Sequence, residues 1–426
     1  MEAYATALTY AIPFFVILIL IEAIAAKIMR RQINNSMDVI SSLSSGMTNT
    51  MKDILGLSIV VLSYSWMVEH WAIFEVKANI WVYLITFVWL DFAAYWSHRL
   101  NHTVNLFWNR HIIHHSSEEF NLSCALRQSI SEIVGIYFFL YIPIALLGVP
   151  AEVIAIVAPV HLFAQFWYHT RLIDKMGWLE YVIVTPSHHR VHHAINPEYI
   201  DKNYAAIFIL WDKWFGTFQA ELKEKPPVYG TLKPVSTWNP VWINFQHLWG
   251  LWKDAWRAKN WWDKARIWFM PTGWRPADVA AKYPTQNTVR DVYQRPKYNS
   301  NPSKFLIVWS WVQLVVSILL IYYALMNFGA FRYWSVLLYM SIVFLSIFSY
   351  TALMDKHWLA IPLEIVKFGL AIVMIYQLGG WFRIDEHLLG GTVLISAYFV
   401  LSLLLTFYFS WMEHSKETSM RVSVKA

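Results

Sequence analysis

Long apolar runs constrain the fold of this chain more than any other feature of its sequence. Nine such runs, most of them close to twenty residues long, are separated by polar loops. A helix of about twenty apolar residues spans the hydrocarbon core of a bilayer. With 57% hydrophobic and 15% charged residues and a mean hydropathy of +0.37, the 426-residue chain is too apolar for a soluble protein. The sequence therefore predicts an all-α, polytopic transmembrane bundle of about seven to nine membrane segments.

Seven of the runs look like complete spans, whereas the fourth and fifth are shorter. These two meet at Gly148-Val149-Pro150, which predicts a hairpin whose full crossing of the membrane the sequence leaves open. The nine runs are residues 6–27, 54–74, 78–96, 130–148, 151–167, 305–326, 334–354, 359–378 and 391–411.

The distribution of Lys and Arg predicts the orientation of the bundle. These residues follow the first and third runs and are frequent in 171–304 and in the tail 416–425. The positive-inside rule places all of these parts in the cytoplasm and the N-terminus outside. The net charge of +6 forms no basic stripe, so no nucleic-acid partner is expected.

Composition divides the chain into three predicted parts. Residues 1–225 would be the membrane catalytic core with a cytosolic histidine-rich cap, and 304–426 a C-terminal region of four membrane helices. Between them, 226–303 is rich in Trp at spacings of three to six residues. That spacing suits amphipathic helices in the headgroup layer, and Trp packed on the cytosolic cap is the alternative.

The histidines indicate the chemistry. Eleven of the sixteen lie between His98 and His193, and eight of these form three tight clusters. Spacings of three and four residues put the imidazoles of each cluster on one side of a helix. Imidazole suits Zn, Cu, Fe or Ni, and eight ligands exceed the coordination of one ion, so a dinuclear site is predicted. The clusters are His98 and His102; His111, His114 and His115; and His189, His192 and His193.

Further histidines are weighed by their positions. All three clusters are predicted at one depth, the cytosolic edge of the bilayer, and His169 lies where a ninth ligand would approach from another helix. His161, two turns deeper, is expected to serve helix packing or a substrate channel. His188 points about 100° away from His189 on a helix, which favours an outer-shell role.

Several carboxylates and one amide are candidates for supporting the ligands. Asp91 lies within the third apolar run, seven residues before His98, and a carboxylate there is usually functional. It is predicted to accept the second N–H of a ligating imidazole. Asp212, Asn203 and Glu132 are further outer-shell candidates. The adjacent Glu118 and Glu119 would either ligate metal or face solvent.

At these residues the chain resembles the fatty acid hydroxylase and sterol desaturase superfamily of integral membrane di-iron enzymes. The pattern of that superfamily is HxxxH, HxxHH and a later HxxHH, and the three clusters follow it in order. Residues 114–129, 165–170, 185–193, 201–204 and 211–218 look more closely like its alkylglycerol monooxygenase branch. The resemblance covers residues 64–220 in detail.

The resemblance implies a di-iron lipid monooxygenase. The eight clustered histidines and His169 would hold two Fe ions, which use O2 to hydroxylate a lipid C–H bond. The branch hydroxylates the carbon next to the ether oxygen of glyceryl ethers, and the hemiacetal collapses to an aldehyde and glycerol. Tetrahydrobiopterin is the reductant of the branch. Its ether-cleaving members carry Glu directly after the second histidine, where this chain has Thr103.

Other functions remain open at this point. A sterol desaturase, a methyl oxidase or a fatty acid hydroxylase would use the same metal site. A zinc transporter would be a non-enzymatic alternative, but its ligands should lie near the middle of the membrane. The chain has no CxxCH haem-attachment motif, no dinucleotide-binding motif and no second cysteine. A separate reductant or electron-transfer protein is therefore expected as a partner, besides the membrane and a lipid substrate.

Overall fold

The computed structural model describes residues 2–285 and 288–423, with side chains at 5–285 and 288–413, and the regular elements in this part of the chain are helices. Over these residues it forms sixteen α-helices, five short 3-10 segments and only isolated β-bridges. Six helices, α1, α4 and α13 to α16, are long and apolar enough to cross a membrane. The prediction of an all-α, multi-pass bundle is confirmed. The α-helices are α1 (Glu2–Ile28), α2 (Ser36–Ile54), α3 (Tyr64–Trp71), α4 (Ile80–Thr103), α5 (Asn105–His115), α6 (Ile142–Leu146), α7 (Ala151–Phe163), α8 (Pro186–His192), α9 (Leu210–Trp214), α10 (Pro240–Arg257), α11 (Trp261–Arg266), α12 (Ala277–Lys282), α13 (Lys304–Met326), α14 (Tyr333–Met354), α15 (Ala360–Leu378) and α16 (Gly391–Ser423).

Polar contacts gather several helix ends at one end of the bundle, which we call the cap end. Arg31, just after α1, donates to the carbonyl of Arg171 at 2.9 Å. Glu413 near the end of the apolar part of α16 accepts from the backbone N–H of Ser303, just before α13, at 3.0 Å. Asp355, just after α14, accepts from the backbone N–H of Trp238 at 2.9 Å. The polar segment between α7 and α13 therefore covers the cap end. The side chains of the predicted cytoplasmic tail 416–425 lie outside the described part of the chain.

The second apolar run, 54–74, is not the complete span that was predicted. It contains irregular chain, in which Gly56 has a φ of 62°, followed only by the eight-residue α3. The helix that returns the chain from the cap end is α2, which begins beside the cap and ends where Tyr333 donates to the carbonyl of Leu55 at 3.2 Å. Tyr333 starts α14, so it lies at the opposite end of the bundle from Asp355.

The hairpin of the fourth and fifth runs reaches the opposite end as well. It consists of a 3-10 segment (Ile136–Tyr141), α6 and α7. Gly148 at its turn has a φ of 78°, and a Cβ there would lie 1.8 Å from the carbonyl oxygen of Phe74. Only glycine fits such a conformation and such a close approach. The turn therefore packs directly against the chain just before α4.

In the segment 226–303 some Trp side chains are buried in the protein and others are exposed. Trp238 is buried with 6% exposure in the apolar core that joins α1 and α2 to α13 through α16. Trp249, Trp252 and Trp256 on α10 are instead exposed. The N-terminus of α10 is capped by Asn239, whose side chain accepts from the backbone N–H groups of Val241 and Trp242.

Candidate metal centre

The nine histidines form two separate groups at the cap end. In each group the ligand nitrogens all lie within 4.8 Å of one another. The first group takes ligands from α4, α5 and α8, and the second from α5, the chain after α7, and α8 with its C-cap residue. The sequence clusters do not coincide with these groups. The second cluster and the third cluster each contribute histidines to both groups. The groups are His98, His102, His111, His115 and His192, and His114, His169, His189 and His193.

The distances within the groups fit shared metal ions. Nitrogens that share one metal ion at about 2.1 Å would lie about 3 to 4 Å from one another. The Nε2 atoms of His98 and His111 are 2.9 Å apart. In the second group, Nε2 of His189 lies 2.8 Å from that of His169 and 3.0 Å from that of His193.

Burial keeps these imidazoles neutral, which is the form that ligates metal. Burial lowers the pKa of His111 and of His115 well below the usual value of 6.5, and neighbouring histidines lower it further. It lowers the pKa of His114 to about 3. The Nε2 atom of His102 is buried and has no hydrogen-bond partner among the described residues. A buried polar atom of this kind calls for a ligand, and a metal ion in the first group would satisfy it.

Backbone carbonyls select the tautomer of several ligands. The Nδ1 atom of His98 lies 2.7 Å from the carbonyl oxygen of Tyr204, and that of His192 lies 3.0 Å from the carbonyl oxygen of Lys202. His169 has the same kind of contact with Gln165 at 3.1 Å. A proton on Nδ1 that is donated to a carbonyl leaves the lone pair of Nε2 free, and the Nε2 atoms are the ones that converge.

The carbonyls for His98 and His192 come from one short segment, residues 201–205, which we call the carbonyl loop. Asp201 and Asn203 in this loop have φ values of 58° and 54°. The amide of Asn203 donates to the carbonyl of His188 at 3.0 Å. Asp212 accepts from the backbone N–H groups of Tyr204 and Ala205, both at 2.8 Å. Asn203 and Asp212 therefore lie one contact away from the ligands and hold the loop that orients them.

Asp91 does not accept from a ligating imidazole, so that prediction is corrected. Its buried carboxylate accepts from Nε2 of His161 at 2.8 Å and from the backbone N–H groups of Ile207 and Phe208 at 2.8 and 2.9 Å. It also accepts from the indole N–H of Trp211 at 2.8 Å. Ile207, Phe208 and Trp211 follow the carbonyl loop, so Asp91 holds the chain just after that loop.

The remaining candidates lie outside both groups. His188 accepts from the backbone N–H of Thr185 in the N-terminal turn of α8. Glu132 pairs with Arg110 and belongs to neither histidine group. Glu118 pairs with Arg295, and Glu119 pairs with Arg171 and Lys297, and neither carboxylate belongs to a histidine group.

Two buried charged residues support the site and were not selected from the sequence. Arg127 pairs with Asp38 of α2 at 2.9 Å, and its carbonyl oxygen lies 3.3 Å from Nδ1 of His114. Glu22 of α1 accepts from the backbone N–H of Leu122 at 2.7 Å and from Thr170, next to His169, at 2.6 Å. Glu22 within the first apolar run was the available signal, since a carboxylate there is costly unless it is bonded.

Comparisons with known proteins agree with this arrangement. The family model described as Fatty acid hydroxylase matches residues 83–217, the stretch that contains all nine histidines. Alkylglycerol monooxygenase of Homo sapiens is 34% identical over 375 residues, which are 87% of this chain and 82% of that protein. The protein of the same name from Danio rerio is 33% identical over 378 residues, with the same coverage of 87% and 82%. Ornithine lipid hydroxylase OlsE of Rhizobium tropici is 29% identical over 128 residues, 30% of this chain and 39% of its own length. No solved structure matches the chain significantly. The chain belongs to the alkylglycerol monooxygenase family, within the fatty acid hydroxylase superfamily of membrane lipid monooxygenases.

Proposed function

We propose that this chain hydroxylates the carbon next to the ether oxygen of alkylglycerols with O2, at a centre of two iron ions. The observation that carries the proposal is the pair of buried histidine groups, each with nitrogens close enough to share an ion. Zinc has no redox chemistry, whereas this reaction transfers electrons, and iron accepts imidazole ligands. Two relatives that bear the name alkylglycerol monooxygenase support the substrate class.

One ion is assigned to each histidine group. When bound, the iron pair would supply the redox chemistry that activates O2. The residues of the chain hold the imidazoles neutral by burial, select their tautomers through backbone carbonyls, and exclude bulk water. Asp91, Asp212 and Asn203 act as positioning residues in this assignment, because each contacts the segment around the carbonyl loop.

The overall reaction consumes one O2, two electrons and two protons, and it places one oxygen atom on the carbon and releases the other as water. The hydroxylated ether is a hemiacetal, which collapses to an aldehyde and glycerol. The two electrons come from tetrahydrobiopterin or from a separate electron-transfer protein, since the sequence contains no motif for an electron carrier.

An aromatic cluster between α1 and α7 offers an approach for the apolar chain of the substrate. Phe15 of α1 packs on Phe166 with ring centroids 4.6 Å apart and on Phe163 at 5.6 Å. His169 of the second metal group follows Phe166 by three residues. A lipid tail that moves along this cluster would reach the histidines from the membrane without crossing the polar cap.

The sidedness and the division of the chain remain predictions that this proposal includes. With Lys and Arg concentrated at the cap end, the active site would lie on the cytoplasmic face. The parts 1–225, 226–303 and 304–426 would serve catalysis, contact with the membrane interface and support of the bundle.

Product analysis tests the proposal. Membranes that contain the chain would be supplied with 1-O-alkylglycerol under 18O-labelled O2 and tetrahydrobiopterin, and the aldehyde would be reduced at once to the alcohol. We expect a fatty alcohol that carries one labelled oxygen, and none from membranes with the His102→Ala variant. Labelled hydroxy-sterols or an intact hydroxylated lipid in place of the aldehyde would exclude ether cleavage. Thr103 stands where the ether-cleaving members carry Glu, and its hydroxyl donates to the carbonyl of Arg99. Hydroxylated lipids that keep their ether bond are therefore the alternative products to measure.

A further inference from the structure

Helix α10 presents a continuous aromatic stripe to its surroundings. Trp242, Phe245, Trp249, Trp252 and Trp256 follow one another at spacings of three and four residues, so they share one face of the helix. All five side chains are exposed, and Trp256 reaches 73%. The rings of Trp249 and Trp252 are stacked with centroids 5.3 Å apart, and those of Trp252 and Trp256 are stacked at 5.8 Å.

This stripe is the outer face of the helix, because the inner face is occupied. The side chain of Asn109 on α5 accepts from the backbone N–H of Leu248, and Ile243 and Leu251 are buried. Exposed apolar patches of this size mark interaction sites, and Trp is enriched where proteins meet the headgroup layer. The helix packs on α5 and α2 at the cap end. A face at the end of the membrane-spanning helices would lie at the depth of the headgroups.

A cavity of about 650 Å³ opens at the C-terminal end of the stripe. Trp256 lines both the stripe and this cavity. Three cationic side chains contribute to its wall, together with the carboxylate of Asp278. That carboxylate accepts from the backbone N–H of Lys259 at 2.9 Å. The cations are Arg257, Lys259 and Lys282.

These cations are available to an anion. Among the described residues none of the three forms an ion pair, and Arg257 lies over the ring of Tyr283 at 4.2 Å while Lys282 lies over the same ring at 5.5 Å. A guanidinium that faces a ring keeps its in-plane N–H groups free, and these N–H groups suit the oxygens of a phosphate. Three cations and one carboxylate leave the cavity with a net positive charge.

We propose that this cavity binds the phosphate headgroup of an anionic phospholipid. A lipid is favoured over a soluble anion because the aromatic stripe leads into the cavity, so a bound headgroup continues into acyl chains beside Trp252 and Trp256. The volume falls in the range of ordinary ligand pockets. The site lies apart from both histidine groups, and its function is lipid binding rather than substrate oxidation.

Native mass spectrometry of the full chain in detergent tests the site. The protein would be titrated with dioleoylphosphatidylglycerol and, in parallel, with dioleoylphosphatidylcholine. We expect one phosphatidylglycerol to bind tightly, and the double variant Arg257→Gln, Lys282→Gln to bind it about tenfold or more weakly, since two charge-assisted contacts are lost. The matched control, Lys175→Gln with Lys223→Gln, removes the same charge at two exposed positions that belong neither to the cavity nor to the stripe, and it should bind as the unaltered chain does.

Other outcomes overturn the proposal. Equal binding of the two lipids, unchanged binding by the cavity variant, or equal weakening in the control would each show that no specific headgroup site exists. Glycerol phosphate that binds as tightly as phosphatidylglycerol would show a site for a soluble anion. If the double variant fails to fold, Ala281→Glu serves instead, because this exposed position lines the cavity and a carboxylate there would repel phosphate. Metal content and thermal unfolding verify that each variant is folded.

Discussion

Each histidine group works as a unit, so its residues should not contribute independently. His102 and His192 belong to the same group although they come from α4 and α8. We expect His102→Ala and His192→Ala each to abolish lipid hydroxylation and the double variant to be no worse than either, because residues that act together are grossly non-additive. Product formation in membranes measures this. Activity above about a tenth after either single change would show that the two histidines do not share one centre.

The carboxylate of Asp91 supports the site at a distance. Asp91→Asn removes the charge that four donors share and turns an amide N–H₂ toward the backbone N–H groups of Ile207 or Phe208. We expect metal affinity to fall by about tenfold, the lower end of the range for residues that contact a ligand directly, because Asp91 acts through the chain at residues 207–211. Competition with a chelator measures the affinity. Asp174→Asn, at an 81% exposed carboxylate of the same cap, is the control and should leave it unchanged. Equal affinities for the two variants would limit Asp91 to a structural role.

At the scale of elements, α2 joins the catalytic half of the chain to the C-terminal bundle. Its Asp38 forms a buried ion pair with Arg127, and its Ser44 bonds to the hydroxyl of Tyr350 on α14 at 2.5 Å. Removal of one partner of a buried ion pair leaves an uncompensated charge and costs about 3 to 5 kcal/mol. We therefore expect Arg127→Met to lower the thermal unfolding temperature in detergent sharply.

The matched variant removes both charges. Asp38→Leu combined with Arg127→Met should recover most of the lost stability, since no unpaired charge then remains. Equal destabilisation by the single and double variants would show that the hydrogen bonds of Arg127 to Ser42 and Ser116, rather than its charge, hold α2 in place.

Helix α2 also shows where hydropathy fails as a predictor. Its sequence is rich in Ser, Thr and Met, and twelve of its nineteen residues are buried, six of them Asp, Ser or Thr. Protein surrounds it on several sides, and hydrogen bonds satisfy the hydroxyls of Ser42, Ser44, Ser45 and Thr48, so the helix needs no apolar surface for lipid. Hydropathy instead predicted the apolar run 54–74 as the span. That prediction was wrong because irregular chain can be as apolar as a membrane helix.

The nine histidines that come together in the structure were predicted from the sequence, because helical spacing puts the histidines of each cluster on one side. Which histidines share an ion was not predictable. His114 and His115 are adjacent in sequence yet belong to different groups. Their assignment depends on how α4, α5 and α8 approach one another, which is a tertiary property. For the same reason the contacts of Asp91 with the chain around residues 207–211 could not be read from its position in α4.

At the scale of the whole molecule, the contacts show which loops lie at the cap end of the bundle and which lie at the opposite end. Exposed Lys223 belongs to the cap, and Leu389, with 98% exposure, belongs to the connection between α15 and α16 at the opposite end. Cys124 is buried and is the only cysteine of the chain, so introduced cysteines can be labelled over a low background. In intact cells we expect a membrane-impermeant maleimide to label Leu389→Cys, and to label Lys223→Cys only after permeabilisation.

The opposite labelling pattern would place the cap outside the cell and would contradict the orientation derived from Lys and Arg. Labelling of both cysteines in intact cells would contradict the multi-pass arrangement between α10 and α16. The unaltered chain, with Cys124 alone, is the control and should remain unlabelled in either condition.

The carbonyl loop has a consequence for how the enzyme tolerates genetic change. The acceptors for His98 and His192 are main-chain oxygens of Tyr204 and Lys202, and every amino acid supplies such an oxygen. Substitution at these two positions cannot delete the acceptor and can only displace the loop. The orientation of His98 and His192 therefore depends on Asp91 and Asp212, because these two carboxylates hold the loop and the chain that follows it. If every single substitution is tested for activity, most changes at Asp91 and Asp212 should abolish activity. Most changes at Lys202 should be tolerated.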